Sequence, residues 1–435
     1  MAPRPMRIRV PGDKSLTQRA LILASLAEGE SRLKGLLHGG DAQSTAQALR
    51  DLGAEIPPIP EDGSEVRVVG LGLHGLRAPE DALDLGNSGT GARLLLGVLA
   101  GSDLSATLDG DSSLRSRPMA RVTSPLEAMG ARFEHPLEEG RLPVTVHGSS
   151  QLAAIDWRSP VASAQVKSAI LLAGLTGGAF TMVTEPRRSR DHTERLFNAL
   201  GASVVSHATE GGWRVELRDP PERIAPLDFE PPGDISSAAF VLALAAAGGS
   251  PGAVTVERVG LNPTRTAVLD VLARMGALVE IDQTSGDDEP EPFGDVTVSP
   301  STLTATSIGA DEVPRLIDEL PLIAALGARA RGVTRITGAE ELRAKESDRI
   351  SAVAANLRSL GVEVEELPDG LAVEGTGRPL RGKVRTWHDH RIGMAFSVLA
   401  ALDGNDIEID HPSVSDVSFP GFRELVHRIT RGRAS

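Results

Sequence analysis

The chain of 435 residues contains no cysteine and no tyrosine, and aromatic residues make up only 3% of it. The first absence excludes disulfides, thiolate metal sites and any cysteine nucleophile. The scarcity of aromatics leaves few platforms on which single-stranded bases could stack. No run of eighteen uncharged apolar residues occurs, so no membrane span is predicted. The opening MAPRPMRIRV lacks the apolar core of an export signal, and a cytoplasmic protein is expected. Basic charge is in deficit: the formal net charge is -14, which argues against a nucleic-acid partner. An anionic ligand would have to be drawn by a local cluster of cations inside an acidic protein.

What is present is ordered by repetition. With 40% apolar and 24% charged residues the composition is globular, and the length suggests two or three domains. A signature of Leu or Met, then Gly, then Ala or Val recurs in DLGAEI, AMGARF, ALGASV, RMGALV and SLGVEV, with its glycine at Gly53, Gly130, Gly201, Gly276 and Gly361. Each copy ends a helical pattern on a residue able to take the left-handed C-cap conformation, and an alternating strand follows. A second series runs out of phase with it. Polar heads at Lys14, Asn87, Ser163, Asp234, Asp318 and Asp389 each introduce a helix apolar almost all round, and such helices are buried. These spacings predict six repeats of buried helix, strand, exposed helix and further strands. Three repeats would form each of two domains, with helices within and sheets outside, and Pro231-Pro232-Gly233 would break the chain between them. Helix N-termini gathered at the gap between the domains would make an anion site.

The heads carry the candidate chemistry. PGDKSLTQR begins at residue 11 and offers Lys14, Ser15 and Arg19. It is not a nucleotide-binding P-loop, because Asp13 puts a carboxylate where glycine amides must wrap polyphosphate. LGNSGTGAR offers Asn87, Ser88, Gly89 and Arg93, and LRSRPMAR adds Arg115, Arg117 and Arg121. SPVASAQVKSAI offers Ser163, Gln165 and Lys167, and RRSRDHTERL places Arg190 before Thr193. The second half supplies Asp318, then Lys345, Glu346 and Arg349 in ELRAKESDRI, then Asp389, His390 and Arg391 in WHDHR. Taken singly, most such residues are solvated or act as caps. The argument for function is their recurrence at one phase of several repeats. The two histidines of WHDHR would diverge on a helix start, so no metal site is expected there.

PGDKSLTQRALILA, LGNSGTGARLLLG, LRSRPM, SAQVKSAILLAGL, RDHTERL, IDELP, ELRAKESDRI and DHRIGMAF, in this order, resemble the 5-enolpyruvylshikimate-3-phosphate synthase family over nearly the whole chain. The resemblance implies a two-domain inside-out α/β barrel of six βαβαββ units, three per domain, with the helices inside. It places residues 1–11 with 230–435 in one domain and 12–229 in the other, the active site in the cleft between them and the domains closing on ligand. It implies transfer of the enolpyruvyl group of phosphoenolpyruvate to the 5-hydroxyl of shikimate 3-phosphate through a non-covalent tetrahedral ketal, with no metal, no cofactor and a monomeric protein. Shikimate 3-phosphate is then expected on Lys14, Ser15, Arg19, Ser163, Ala164, Gln165, Arg190, Asp318 and Lys345. Phosphoenolpyruvate is expected on Lys14, Gly89, Arg117, Gln165, Arg349 and Arg391, with Asp318, Glu346 and Lys14 catalytic. Two positions depart from many members: Val417 stands in place of a lysine and Glu341 in place of an asparagine. SAQVK, RDHTE and NPTRT resemble the branch noted for glyphosate tolerance, whereas Gly89 matches sensitivity. The sister transferase acting on UDP-N-acetylglucosamine typically uses a cysteine, which this chain lacks. A non-catalytic anion-binding repeat protein is the other reading.

Overall fold

Six glycine-punctuated repeats become six open sheets. The structure, a computed structural model, describes residues 4–431. It divides into a first unit, Gly12–Pro231, and a second unit, Met1–Pro11 with Pro232–Ser435, each with its own apolar core. Three buried helices belong to the first unit: α1 Lys14–Leu26, α2 Gly89–Ala100 and α3 Ala164–Thr176. Three belong to the second: α4 Ile235–Ala246, α5 Leu320–Gly327 and α6 His390–Ala400. Every residue of α4 and α5 is buried, as is every residue of α1 from Leu16 onward. This follows from their sequences, since a helix apolar on all faces has no side to offer water.

Caps fix where these helices begin. Asp13 accepts from the Leu16 amide at 2.9 Å and Ser88 from the Gly91 amide at 3.1 Å. In the second unit Asp234 accepts from the Ser236 amide at 2.8 Å and Asp389 from the Arg391 amide at 2.9 Å. Each satisfies an amide that the first helical turn leaves without a partner. Asp13 therefore has a structural task at the place where a P-loop would need glycine.

The outer helices, such as Gly40–Asp51 and Ala267–Arg274, end as their sequences predict. Gly53, Gly130, Gly201, Gly276 and Gly361 all have φ between +78° and +110°. At the first of them the Gly53 and Ala54 amides return to the carbonyls of Arg50 and Leu49 at 2.8 and 2.9 Å, closing the helix end.

The second repeat shows the complete sheet, in the order Leu83–Asp84, Ser105–Asp109, Val144–His147, Arg132–Glu134, with the first pair parallel and the others antiparallel. The third repeat matches it with Ile155–Arg158, Thr181–Glu185, Gly212–Leu217 and Val204–Thr209, and the fifth likewise. The first and fourth repeats take their leading strand from a distant part of the chain. Met6–Ile8 runs parallel to Val254–Gly260 in the second unit, and Asp228–Phe229 runs parallel to Glu28–Leu33 in the first. Among the described residues two repeats are cut short: the first keeps only the Glu55 to Val69 bridge as its fourth strand, and the sixth has two strands, Arg381–Val384 and Asp406–Ile409.

Candidate active site

In the first unit the starts of α1, α2 and α3 are tied together by their own side chains. Lys14, the first residue of α1, places Nζ 2.9 Å from Asp41 Oδ2 in the first turn of Gly40–Asp51. Gln18, one turn further, donates to Ser88 Oγ at 2.5 Å and to Thr45 Oγ1 at 3.1 Å, joining the first head to the second. Arg93 of α2 donates to Gln165 Oε1 at 2.8 Å, and Gln165 donates to Thr90 Oγ1 at 3.0 Å, joining the second head to the third. Arg19 donates to Thr193 Oγ1 at 2.8 Å, to Ser168 Oγ at 3.0 Å and to the Ser15 carbonyl at 3.1 Å. Lys14, Ser15, Arg19, Gly89 and Gln165 thus lie on one connected set of helix ends.

The other expected residues of this unit are placed as follows. Arg117 is buried and donates to Asn87 Oδ1 and Ser113 Oγ, beside Gly89. Ser163 is the N-cap of α3 and Ala164 its first residue. Arg190 is half-buried just ahead of the helix His192–Ala199. Three cations of the heads serve other ends. Arg115 is committed to Asp109 at 2.5 and 2.7 Å on an exposed edge, and Arg121 lies within the helix Ala120–Ala128. Lys167 is wholly buried, 3.2 Å from Glu185 and 2.8 Å from Glu194.

In the second unit the centre is Arg349, 1% exposed, on which three carboxylates converge. Its Nη2 is 2.5 Å from Glu346 Oε2, its Nε 2.9 Å from Asp389 Oδ2, and its Nη1 3.4 Å from Asp318 Oδ1. Lys345 Nζ stands 4.0 Å from the same oxygen of Asp318. Burial works against the charge of Arg349, but Asp389, Glu346 and Asp318 outweigh it and raise its pKa above the ordinary arginine value. Burial likewise works against ionised Asp389, and the Arg349 charge prevails, holding that carboxyl below its ordinary value. Arg391, at the start of α6, is 6% exposed, and its buried Nη1 has no hydrogen-bond partner among the described residues. An unmatched guanidinium donor of this kind suits an incoming anion.

The arrangement offers two carboxylates, Asp318 and Glu346, beside guanidinium and ammonium groups, in a chain whose other unit gathers further cations at helix starts. The family model of EPSP synthase (3-phosphoshikimate 1-carboxyvinyltransferase) matches residues 5–426. The chain belongs to the EPSP synthase family. A relative from Gloeobacter violaceus, named 3-phosphoshikimate 1-carboxyvinyltransferase, is 49% identical over 97% of this chain and 96% of its own length. One of the same name from Thermus thermophilus is also 49% identical, over 97% and 96% of the two chains. Among solved structures, EPSP synthase from Acinetobacter baumannii superposes with a TM-score of 0.84 at 40% identity, covering 99% of this chain and 97% of its own.

Three features of this EPSP synthase family member escaped the reading of its sequence. Asp41 lies 27 residues from Lys14 and carries no motif of its own. Gln18 reads as one more helical position, although it bonds across to Ser88. Asp389 reads as a cap, and it is one, but it also pairs with Arg349 forty residues earlier. Val417, at the end of the turn Pro412–Val417, is 39% exposed and supplies no cation. Among the described residues no group of three or more His, Asp or Glu side chains is placed to hold a metal ion, and no helix is long and apolar enough to cross a membrane. His388 stacks on His411 at 4.7 Å between ring centres rather than converging with Asp389.

Proposed function

We propose that this protein transfers the enolpyruvyl group of phosphoenolpyruvate to the 5-hydroxyl of shikimate 3-phosphate and releases phosphate. The observation that carries the reading is the convergence of Asp318 and Glu346 on Arg349, with Lys345 alongside, in a chain of this family. Asp318 takes the 5-hydroxyl proton as that oxygen attacks C2 of the enol, and Glu346 gives a proton to C3, forming a tetrahedral ketal. Glu346 then recovers a proton from C3 as the C2 to phosphate bond breaks, and the hydroxyl proton leaves with the phosphate. Arg349, Arg391 and Arg117 clamp phosphoenolpyruvate, since guanidinium forks match carboxylate and phosphate, with Lys14, Gln165 and the Gly89 backbone beside it. When an anion occupies the Arg349 donors, Glu346 is released from its ion pair to carry its proton. Shikimate 3-phosphate is held by Lys14, Ser15, Arg19, Ser163, Ala164, Gln165, Arg190, Asp318 and Lys345. The protein works as a cytoplasmic monomer on these two small molecules.

The test is phosphate release from phosphoenolpyruvate in the presence of a chelator, with shikimate 3-phosphate, with UDP-N-acetylglucosamine, or with no acceptor. Release only with shikimate 3-phosphate is expected. Release only with the nucleotide sugar would overturn the acceptor, and release with neither would return the charged heads to a binding role. Asp318→Asn and Glu346→Gln are expected to lose turnover by a factor of about 100 or more, the loss that follows removal of a general acid or base, and Glu346→Gln to keep ligand binding within about threefold.

A further inference from the structure

We infer that Glu185 is a positioning residue, backed by Lys167, that fastens the two loops bearing the proposed shikimate 3-phosphate contacts; the inference rests on that ligand assignment. Glu185 closes the strand Thr181–Glu185 and is fully buried. Its Oε1 accepts from the backbone amide of Ser163 at 2.8 Å. The hydroxyl of Ser189 lies 2.8 Å from Oε1 and 2.7 Å from Oε2. The first of these loops ends at Ser163, the N-cap of α3, whose first residues are Ala164 and Gln165. The second precedes His192–Ala199 and carries Arg190, the neighbour of Ser189. One carboxylate therefore fixes the spacing of both.

A buried carboxylate needs a counter-charge, and Lys167 provides it. Its Nζ lies 3.2 Å from Glu185 Oε2 and 2.8 Å from Glu194 Oε1, with all three side chains essentially removed from solvent. Burial works against the lysine charge, yet Glu194 and Glu185 together raise its pKa. The adjoining residues Ser168 and Thr193 hold the Arg19 guanidinium, so a further proposed shikimate 3-phosphate contact hangs on the same scaffold. A lysine serving the core alone would require only a partner. Nothing in that role requires the partner to reach the amide that opens α3 and the hydroxyl beside Arg190 at once.

The experiment measures KM for each substrate and kcat in full-length Glu185→Gln, Ser189→Ala, Glu194→Gln and Arg190→Ala. Glu194→Gln is the control, because Glu194 shares Lys167 but lies on the helix beyond the loops. We expect KM for shikimate 3-phosphate to rise about tenfold in Glu185→Gln and about threefold in Ser189→Ala, the worth of a charge-assisted and a single ordinary hydrogen bond. KM for phosphoenolpyruvate, which among these residues shares only Gln165, should rise by less than KM for shikimate 3-phosphate, and Glu194→Gln should lower Tm while leaving both KM values in place. If Glu185→Gln does not fold, Ser189→Ala carries the same test with a surface-proof change of one hydroxyl. A normal KM in Ser189→Ala and Glu185→Gln alongside a raised one in Arg190→Ala overturns the positioning role and leaves the ligand assignment standing. Parallel shifts of both KM values in Glu185→Gln and Glu194→Gln reduce the cluster to core stability. An Arg190→Ala protein with normal KM overturns the ligand assignment itself, and the inference with it.

Discussion

At the scale of single residues, Gly89 of the proposed site is closely crowded by side chains. A Cβ built there would lie 2.9 Å from Arg117 Nη1 and 3.1 Å from Arg93 Nη1. Both neighbours are ends of flexible side chains, so the cost of a methyl group falls on where the guanidinium groups point rather than on the fold. Gly89→Ala is expected to raise KM for phosphoenolpyruvate about tenfold, to change KM for shikimate 3-phosphate by less than about threefold, and to leave the denaturation midpoint nearly unchanged. Steady-state kinetics with each substrate varied in turn would check this, and equal shifts of both KM values would sink it. Asp389 makes a second prediction, one with a pH sign. Its folded pKa lies below the ordinary carboxylate value, because the Arg349 charge outweighs burial. Its ionisation therefore contributes stability that is present above the ordinary value, about 4, and is lost as pH falls through the lower folded value. Asp389→Asn should cost about 3 kcal/mol at pH 7, where it breaks a buried pair, and the gap from the unsubstituted protein should narrow below about pH 4. Urea midpoints at the two pH values decide it, and a gap that stays constant refutes the assignment. Gly89 and Arg391 stood out in the sequence because they follow the polar heads at Asn87 and Asp389, each of which opens a helix apolar almost all round. The pairing of Asp389 with Arg349 did not, because a carboxylate that caps its own helix gives no sign of a distant partner.

At the scale of elements, α2 and α3 touch backbone to backbone. A Cβ on Gly97 would meet the Ala169 carbonyl oxygen at 2.3 Å and its Cα at 2.7 Å, and neither can rotate away. Gly97→Ala must part the two helices, and overpacking of this kind costs about 1 to 3 kcal/mol. Because α2 carries Gly89 and Arg93 at its start and α3 carries Gln165, the same shift should lengthen the Arg93 to Gln165 bond and raise both KM values. A lowered guanidinium midpoint with unchanged KM values would show that the helix ends are held independently of the helix middles. The repeated helix and glycine pattern made these elements legible, and the five C-terminal glycines fell where they were expected. The shortened sheets of the first and sixth repeats were not legible. A strand reduced to the bridge at Glu55, or one that never forms, leaves the helix period intact and removes only a weak alternating signal.

At the scale of the whole molecule, two sheets take their leading strand from a distant stretch of the chain. Composition and spacing could not disclose this, since Met6–Ile8 and Asp228–Phe229 are too short to show alternation, and only the family resemblance placed residues 1–11 with the second half. The physical consequence is a crossed dependence of stability on sequence position. Ile8 is buried in the core of the second unit, in a strand whose first amide, that of Met6, donates to the Ala253 carbonyl at 3.0 Å. Phe229 is buried in the core of the first unit, opposite Leu33. Truncating a buried residue of this size removes about 2 to 5 kcal/mol of packing. Ile8→Ala is therefore expected to speed amide hydrogen exchange along Val254–Gly260 and Phe293–Ser299, about 250 residues away in sequence, while Glu28–Leu33 keeps its protection. Phe229→Ala is expected to do the reverse, exposing Glu28–Leu33 and Val66–Leu71 and sparing Val254–Gly260. Should Ile8→Ala instead loosen the strands nearest to it along the chain, the pairing of Met6–Ile8 with Val254–Val256 would be wrong. Loss of protection everywhere in both variants would mean that the two cores unfold as one, so that neither strand has a stability of its own unit to report.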